Sequence, residues 1–168
     1  MFSDIKLTNN TILEFHNHPK NSSHGWIHND YHVANFADDP LYNGINLWKG
    51  NTNYRQKQDI PGEYITNVRS IALTYYMNPE SYDWKEGDGG ETGLFPSHQG
   101  EVDVSTCIRK IAPIPNRLAV YEINPYSWHA IMMKNKEERI SVHQWYHSEY
   151  EYYRNKYSYS GISPMDGN

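Results

Sequence analysis

With 168 residues, a formal net charge of −5 and a pI near 6, the chain predicts one domain and offers no basic surface for nucleic acid. No apolar run approaches the length of a membrane span, and the amino terminus lacks the apolar core of a signal peptide. The single cysteine excludes an intramolecular disulfide, so we expect a reducing compartment, the cytoplasm, while the lack of a long apolar run predicts no membrane partner.

The first 68 residues alternate short strand patterns with polar connections. Ile5–Leu7 and Thr11–Phe15 predict a hairpin around a two-asparagine turn, and Trp26–Phe36 predicts the next strand. The stretch Tyr31–Val68, which begins inside that pattern, is mostly polar and contains glycine and proline at intervals. Long connections of this kind in compact domains often form lids, so we interpret it as a lid or insertion.

The rest of the chain predicts a series of short strands separated by turn-forming residues. Such a series predicts an all-β fold, a sandwich or a barrel-like double sheet, in one domain spanning residues 1–168. The predicted strands are Tyr64–Met77, Glu91–Phe95, Val102–Ile111, Leu118–Ile123, Trp128–Met133 and Arg139–Tyr146. Ser148–Tyr157 is the one predicted helix, and residues 158–168 are predicted to form a flexible tail.

His28 and Asp30 form a His-x-Asp pair within the Trp26–Phe36 pattern. On an extended segment the two side chains point to the same face, because strand side chains alternate. An imidazole and a carboxylate presented together can hold two adjacent positions on a divalent metal. One more distant histidine would complete the 2-His-1-carboxylate set of non-haem Fe(II) oxygenases.

A second set of polar side chains lies on the last predicted strand. Alternation places Arg139, Ser141, His143 and Trp145 on one face of it. A guanidinium beside a hydroxyl on an inward face is costly unless an anion lies opposite, and the arginine fork binds a carboxylate through two hydrogen bonds. The alternative interpretation is a structural ion pair with one of the two glutamates that precede Arg139.

A run of motifs resembles the prolyl-4-hydroxylase-like branch of the Fe(II)/2-oxoglutarate dioxygenases. The similarity extends from about Arg69 to Tyr146 and includes the His-x-Asp pair. Each motif is weak by itself, but their order and spacing together are specific. The motifs are Tyr75-Tyr76-Met77-Asn78, Trp84, Asp88-Gly89-Gly90-Glu91, the run from Pro115 to Tyr121, His129, Arg139-Ile140-Ser141 and Trp145.

The resemblance implies a double-stranded β-helix, or jelly roll. It implies Fe(II) as the metal, 2-oxoglutarate and O2 as co-substrates, and ascorbate as an optional addition. The implied reaction hydroxylates a peptidyl residue such as proline, or a small molecule, and releases succinate and CO2.

The resemblance also implies two groups of site residues. The first group would bind the metal and consists of His28, Asp30 and His129. The second group would surround the co-substrate. It consists of Arg139, Ser141 and Tyr76 at the distal carboxylate of 2-oxoglutarate, Thr92 lining the same pocket, and Trp145 beside the co-substrate.

The chain departs from the family in the length of two segments. Family members usually carry helices before the His-x-Asp strand, and only 27 residues precede His28 here. The connection Tyr31–Val68 is longer than in compact members. A sheet without helical cover would expose an apolar face, and such a face favours a homo-oligomer.

The remaining histidines are predicted to lie outside the metal site. His16 and His18 fall in a predicted loop beside a proline, and His32 could line the substrate mouth. His143 could line the pocket or pack in the core, and His147 is predicted to be solvated.

Two other functions fit parts of the pattern. A cupin-like metal-dependent isomerase or lyase would use three or four histidine ligands and no carboxylate anchor, and Arg139 with Ser141 argues against it. A non-catalytic jelly-roll binding module would not need a complete ligand set and anchor. Iron-dependent formation of succinate would separate an oxygenase from both.

Overall fold

The computed structural model describes residues 2–37, 45–46, 64–96, 103–132 and 134–157. These residues are mostly β, as predicted, and they contain no helix with the length and hydropathy that a bilayer crossing requires. The strands are β1 (Thr11–His18), β2 (Val33–Ala37), β3 (Ile45–Asn46), β4 (Tyr64–Tyr76), β5 (Thr92–Leu94), β6 (Arg109–Ile111), β7 (Leu118–Glu122), β8 (His129–Ile131) and β9 (Arg139–Glu149). The helix α1 is Tyr150–Tyr157, and two 3₁₀ turns are Glu80–Tyr82 and Val104–Thr106.

The strands form two sheets. The large sheet has the order β2-β4-β9-β1-β3, with β7 also paired to β4, and the small sheet has the order β6-β5-β8. His28 bridges to His129 of β8, so the segment around the His-x-Asp pair extends the small sheet. This curled, mainly antiparallel arrangement is that of the predicted jelly roll.

The longest strands, β4 and β9, pair with each other in the middle of the large sheet. A β-bulge at Ser70 interrupts their register: Arg69 lies opposite His147, and Ile71 lies opposite Tyr146. Because side chains alternate, one extra residue lets Arg69 share the inner face with Ala72. The bulge therefore turns a charged side chain towards the interior, where the site is built.

The predicted amino-terminal hairpin is wrong. Residues Thr11–His18 form one strand that pairs with β9 along its whole length, and Ile5–Leu7 is not a strand. Thr8 and Asn10 instead donate side-chain hydrogen bonds to Asn67 of β4. These tertiary contacts outweigh the local turn signal, and they place His16 and His18 on β1 rather than in a loop.

Two further strand predictions need correction. Val104–Thr106 is a 3₁₀ turn, because the Asp103 carboxylate accepts hydrogen bonds from the Ser105 amide and hydroxyl and favours a local turn over an extended chain. The Trp26–Phe36 pattern breaks at Asp30, whose φ of 56° lies in the left-handed region.

Three parts of the predicted lid are strands, and the last of them, residues 64–68, begins β4. Val33–Ala37 pairs with the first residues of β4, and Ile45–Asn46 pairs with Thr11 and Ile12 at the opposite edge of the large sheet. The rest of the predicted lid, residues 38–44 and 47–63, lies outside the described residues, as does the predicted tail from residue 158.

The helix α1 follows β9 directly and covers one end of the large sheet. Its Tyr153 is fully buried and packs in the main core with Val68, Ile123 and Trp145. The Tyr153 hydroxyl donates to the Ile123 carbonyl at 2.6 Å. The helix therefore seals the interior close to the side chains that form the site.

Candidate functional site

The three predicted metal ligands come together in the structure. The backbones of His28 and His129 exchange two hydrogen bonds, with N···O distances of 3.0 and 2.7 Å, and the two ring centroids lie 4.4 Å apart. The Asp30 carboxylate contacts both rings. Its Oδ1 lies 3.5 Å from His28 Nε2, and its Oδ2 lies 3.5 Å from His129 Nε2. One ligand atom from each of the three residues lies within 4.8 Å of the others, which fits a single metal ion.

Both histidines are oriented by backbone carbonyls. Nδ1 of His28 lies 2.8 Å from the Trp26 carbonyl, and Nδ1 of His129 lies 2.9 Å from the Ser127 carbonyl. A carbonyl only accepts, so each Nδ1 carries a proton and each Nε2 is directed to the metal position. This outer contact fixes the tautomer that metal binding requires.

Asp30 is held by two donors on the large sheet. Arg69 Nη1 donates to Oδ1 at 3.2 Å, and Trp145 Nε1 donates to Oδ2 at 3.0 Å. The Arg69 guanidinium also lies 4.2 Å from the centroid of the Trp145 ring. The left-handed backbone at Asp30 turns its side chain towards these donors. His28 and Asp30 therefore converge on the metal position through this left-handed turn and not through simple strand alternation.

The charges of the site stabilise an anionic Asp30. Burial alone would raise its pKa, but the hydrogen bond to His129 and the Arg69 charge hold the pKa of Asp30 well below its usual range. Burial lowers the pKa of His28, and the neighbouring His129 adds to this effect. Burial also opposes a charge on His129, yet the bond to Asp30 outweighs it and raises the pKa of His129. A divalent cation at this position would replace that proton.

Tyr121 of β7 also points at the metal position. Its hydroxyl lies 3.1 Å from His129 Nε2, and burial followed by the Asp30 charge raises its pKa well above the ordinary value. Tyr121 therefore presents a neutral hydroxyl next to the ligand atom.

Arg139 is fully buried at the start of β9. Its Nη1 donates to Ser141 Oγ at 3.0 Å, and its Nη2 lies 3.4 Å from Thr92 Oγ1. Its Nε has no hydrogen-bond partner, and no carboxylate among the described residues forms an ion pair with it. The two preceding glutamates contact Lys20 and Asn17 instead, so the alternative of a local ion pair is wrong for these residues.

Tyr76 and Thr92 complete the surroundings of this guanidinium. The Arg139 guanidinium lies 5.1 Å from the Tyr76 ring centroid, and the Tyr76 hydroxyl lies 2.8 Å from Thr92 Oγ1. Burial lowers the pKa of Arg139, with the nearby Tyr76 opposing that effect. A buried guanidinium surrounded by neutral groups is costly, and a bound carboxylate would relieve that cost.

The Asp88-Gly89-Gly90-Glu91 motif has a packing explanation. Gly90 has a φ of 67°, and a Cβ there would lie 2.9 Å from Asn135 Cβ and 3.5 Å from Arg139 Cδ. Only glycine combines this backbone conformation with so close an approach. The motif therefore packs the chain against the stem of Arg139.

The structure brings together all the site residues predicted from the sequence, in two neighbouring groups. Trp145 belongs with the metal group, because its indole donates to Asp30. Sequence reasoning missed Arg69 and Tyr121, which lie inside ordinary strand patterns and carry no local signal of their roles. The prediction that His147 is solvated is wrong, since its side chain is fully buried opposite Arg69.

Comparison with known proteins identifies the family. A family model described as the 2OG-Fe(II) oxygenase superfamily matches residues 42–147, more than half of the chain. The chain belongs to this superfamily. The predicted membership of the Fe(II)/2-oxoglutarate oxygenases is thereby confirmed, and iron, 2-oxoglutarate and O2 are the cofactor and co-substrates that this family implies. The matched segment contains His129 and Arg139 but begins after Asp30, so the first two predicted ligands of this oxygenase domain join the others only in the tertiary structure.

Two solved structures also match this oxygenase domain. A prolyl-4-hydroxylase from Pseudomonas putida has 16% identity and a TM-score of 0.46, with 82% of this chain and 52% of that chain covered. A structure of prolyl 4-hydroxylases from Phytophthora capsici has 18% identity and a TM-score of 0.40, with 81% and 32% covered. The chain therefore spans about half of the first protein and about a third of the second.

Proposed function

We propose that this chain is an Fe(II)- and 2-oxoglutarate-dependent oxygenase that hydroxylates its substrate. Family membership supports the reaction class. The observation that carries the proposal is Arg139, a fully buried guanidinium with no acidic partner among the described residues. It lies on the same face of β9 as Trp145, whose indole N–H donates to the carboxylate of the proposed metal ligand Asp30. An anion site and a metal site on one strand face fit a ligand that carries a carboxylate at one end and a 2-oxo acid at the other.

Each residue has a defined task in this proposal. His28, Asp30 and His129 would hold Fe(II) and leave three positions for exogenous ligands. Arg139 would bind the distal carboxylate of 2-oxoglutarate, with Ser141 and Tyr76 as further donors. With iron bound, the centre supplies the chemistry that couples decarboxylation of 2-oxoglutarate to oxidation of a C–H bond by O2. The balanced products are succinate, CO2 and the hydroxylated substrate.

The protein's own contribution is orientation and protection. Arg69 and Trp145 fix both oxygens of Asp30, which limits the ways in which the metal can be bound. Arg139 fixes the far end of the co-substrate and thereby the direction of its 2-oxo acid end. The predicted lid would keep bulk water from the reacting centre until the substrate binds.

The substrate is a peptidyl residue such as proline or a free small molecule. The sequence motifs that resemble those of prolyl hydroxylases support the peptidyl class, but proteins that share a fold act on many different substrates. Assay of succinate release with proline-containing peptides and with a panel of small molecules separates the two classes.

A homo-oligomer also stays a prediction. Phe15 of β1 and Leu118 of β7 are exposed on the outer face of the large sheet, in one row with Val142 and Tyr75. A row of apolar side chains across a sheet face favours self-association. Sedimentation of the wild type and of Phe15→Ser at several concentrations measures it.

The experiment that tests the proposed function measures co-substrate binding and turnover together. Arg139→Ala should weaken 2-oxoglutarate binding by tens to thousands of fold, because loss of one partner of a buried charge pair costs about 2–5 kcal/mol. Arg139→Lys should recover only part of this affinity, since a lysine lacks the fork. Arg109→Ala, an exposed arginine on β6, is the matched control and should bind normally. Equal 2-oxoglutarate affinity of wild type and Arg139→Ala, or succinate formation that does not need iron, would rule the proposal out.

A further inference from the structure

His143 lies among polar partners on the inner face of the large sheet. It follows Ser141 on the same face of β9, and it pairs across the sheet with Glu14 of β1 and Thr74 of β4. Its Nε2 lies 3.1 Å from Ser141 Oγ, and its Nδ1 lies 3.5 Å from Thr74 Oγ1. The ring therefore connects a neighbouring strand to the hydroxyl that contacts Arg139.

The ring of His143 carries a single proton. Burial lowers its pKa to about 2, and the nearby His16 and Arg139 add to this effect. A neutral imidazole donates from one nitrogen and accepts at the other. His16 stacks on the ring at a centroid distance of 4.2 Å and an interplanar angle of 21°, which leaves both nitrogens at the ring edge for hydrogen bonds.

The contact with Thr74 favours one of the two positions for this proton. The Thr74 side chain is buried, and within the described residues His143 is the hydrogen-bond partner of its hydroxyl. If Nδ1 carried the proton, the hydroxyl proton of Thr74 would have no acceptor there. With Nδ1 as the acceptor, Thr74 donates to it and both groups are satisfied. The ring proton is then on Nε2.

A proton on Nε2 determines the role of Ser141. Its Oγ accepts one hydrogen bond from His143 and one from Arg139, at 3.1 and 3.0 Å. Both lone pairs of the hydroxyl oxygen are then used, and its own O–H is left to donate to a third group. With the opposite tautomer, Ser141 would donate to His143 and present a lone pair to any carboxylate bound by Arg139.

We propose that His143 is a positioning residue of the anion pocket, which holds the Ser141 hydroxyl so that it donates its proton to the carboxylate bound by Arg139. The inference rests on the proposed function, because that carboxylate is the distal one of 2-oxoglutarate. His143 touches neither the metal position nor the co-substrate in this role. It acts through Ser141 alone, and so its effect has to vanish when the serine hydroxyl is removed.

The tautomer is measured directly by long-range nitrogen–proton NMR of the full chain with ¹⁵N-labelled histidine and Zn(II) as a redox-silent metal. The signals of His143 are assigned by their loss in His143→Gln. We expect a proton on Nε2 both before and after 2-oxoglutarate is added. A proton on Nδ1 in the protein with 2-oxoglutarate overturns the inference.

The coupling is measured by calorimetric titration of 2-oxoglutarate into the same zinc-loaded protein. His143→Leu removes the donor and should weaken binding about 3- to 10-fold, the range of one net hydrogen bond. His143→Gln keeps an N–H donor at a similar reach and should bind within about two-fold of the wild type. In the Ser141→Ala background, His143→Leu should produce no additional loss, because coupled partners are not additive.

The outcomes separate this inference from the proposed function. An equal loss from His143→Leu with and without Ser141 shows that the ring acts by packing, and it overturns the inference alone. Absence of 2-oxoglutarate binding to the wild type overturns both. Thermal unfolding reports whether each variant folds. If His143→Leu does not fold, His143→Asn takes its place, since its shorter amide does not reach Ser141 and should show the same coupled loss.

Discussion

His28 and His129, which lie far apart in the sequence, are bonded to each other through both of their backbone amides. Directly opposed residues of an antiparallel pair project their side chains to the same side of the sheet. The two ring centroids are therefore 4.4 Å apart, and Asp30 reaches the space between their Nε2 atoms. The position of the predicted metal site is thus a direct consequence of strand pairing.

We expect one Fe(II) per chain at this site. His28→Ala and His129→Ala should each lose metal binding, because each removes one of three protein ligands. His24→Ala, a histidine outside the triad, should bind normally. Anaerobic calorimetry with Fe(II), or with Mn(II) as a stable substitute, measures the affinities. Full affinity in either ligand variant would contradict the assignment.

Trp145→Phe should weaken metal binding about 10- to 100-fold, the usual effect of losing a group that orients a metal ligand. The change keeps most of the ring packing but removes the N–H that holds Asp30 Oδ2. Trp128→Phe, in the smaller core cluster, is the matched control. If both variants bind metal equally well, the contact between Trp145 and Asp30 has no part in orienting the carboxylate.

The predicted lid is testable by deletion. Its described parts include the two edge strands of the large sheet, since Val33–Ala37 pairs beside β4 and Ile45–Asn46 pairs beside Thr11 and Ile12. Ile12 also lies opposite Trp145, so this second attachment is level with the metal position. Deletion of residues 43–58 should abolish substrate turnover but leave metal and 2-oxoglutarate binding nearly intact.

Removal of residues 160–168 serves as the control for that deletion. Hydrogen exchange should also show protection within residues 38–63 when metal, 2-oxoglutarate and substrate are all present. Normal hydroxylation by the deletion variant would show that the segment is an insertion without a catalytic role.

Acid should destabilise the fold through His147. Burial, with a contribution from Arg69, lowers the pKa of His147 to about 3. The unfolded chain therefore binds a proton near its ordinary pKa of about 6.5, while the folded chain does not. The contribution of His147 to the unfolding free energy is therefore complete above pH 6.5, the ordinary histidine pKa, and is lost as the pH falls towards the folded-state pKa of about 3.

Between pH 7 and pH 5 the expected loss of unfolding free energy from His147 is about 2 kcal/mol. His147→Asn keeps a donor for the Asn10 carbonyl, which His147 Nδ1 contacts at 2.9 Å, and it cannot titrate. Its unfolding free energy should fall less with acid than that of the wild type, as measured by urea unfolding at each pH. Parallel pH profiles for the two proteins would show that His147 is not the source of the acid sensitivity.

The sequence by itself determined the all-β class, the family and the candidate ligands. Short alternating patterns predicted β4, β5, β7, β8 and β9 close to their observed positions, because strands that are buried on one face must alternate. His-x-Asp, the distant His129 and the pair Arg139 and Ser141 were recognisable because metal and carboxylate binding restrict which residue types can serve.

The tertiary structure decided the contacts that orient these residues. The bulge at Ser70 that turns Arg69 inward, the left-handed turn at Asp30 and the reach of Tyr121 to His129 depend on strand register and backbone conformation. Likewise, His16 joined β1, because Thr8 and Asn10 bond to Asn67 and displace the local hairpin. Contacts between distant segments have no periodic signal in the sequence, since they arise only when separate strands are paired.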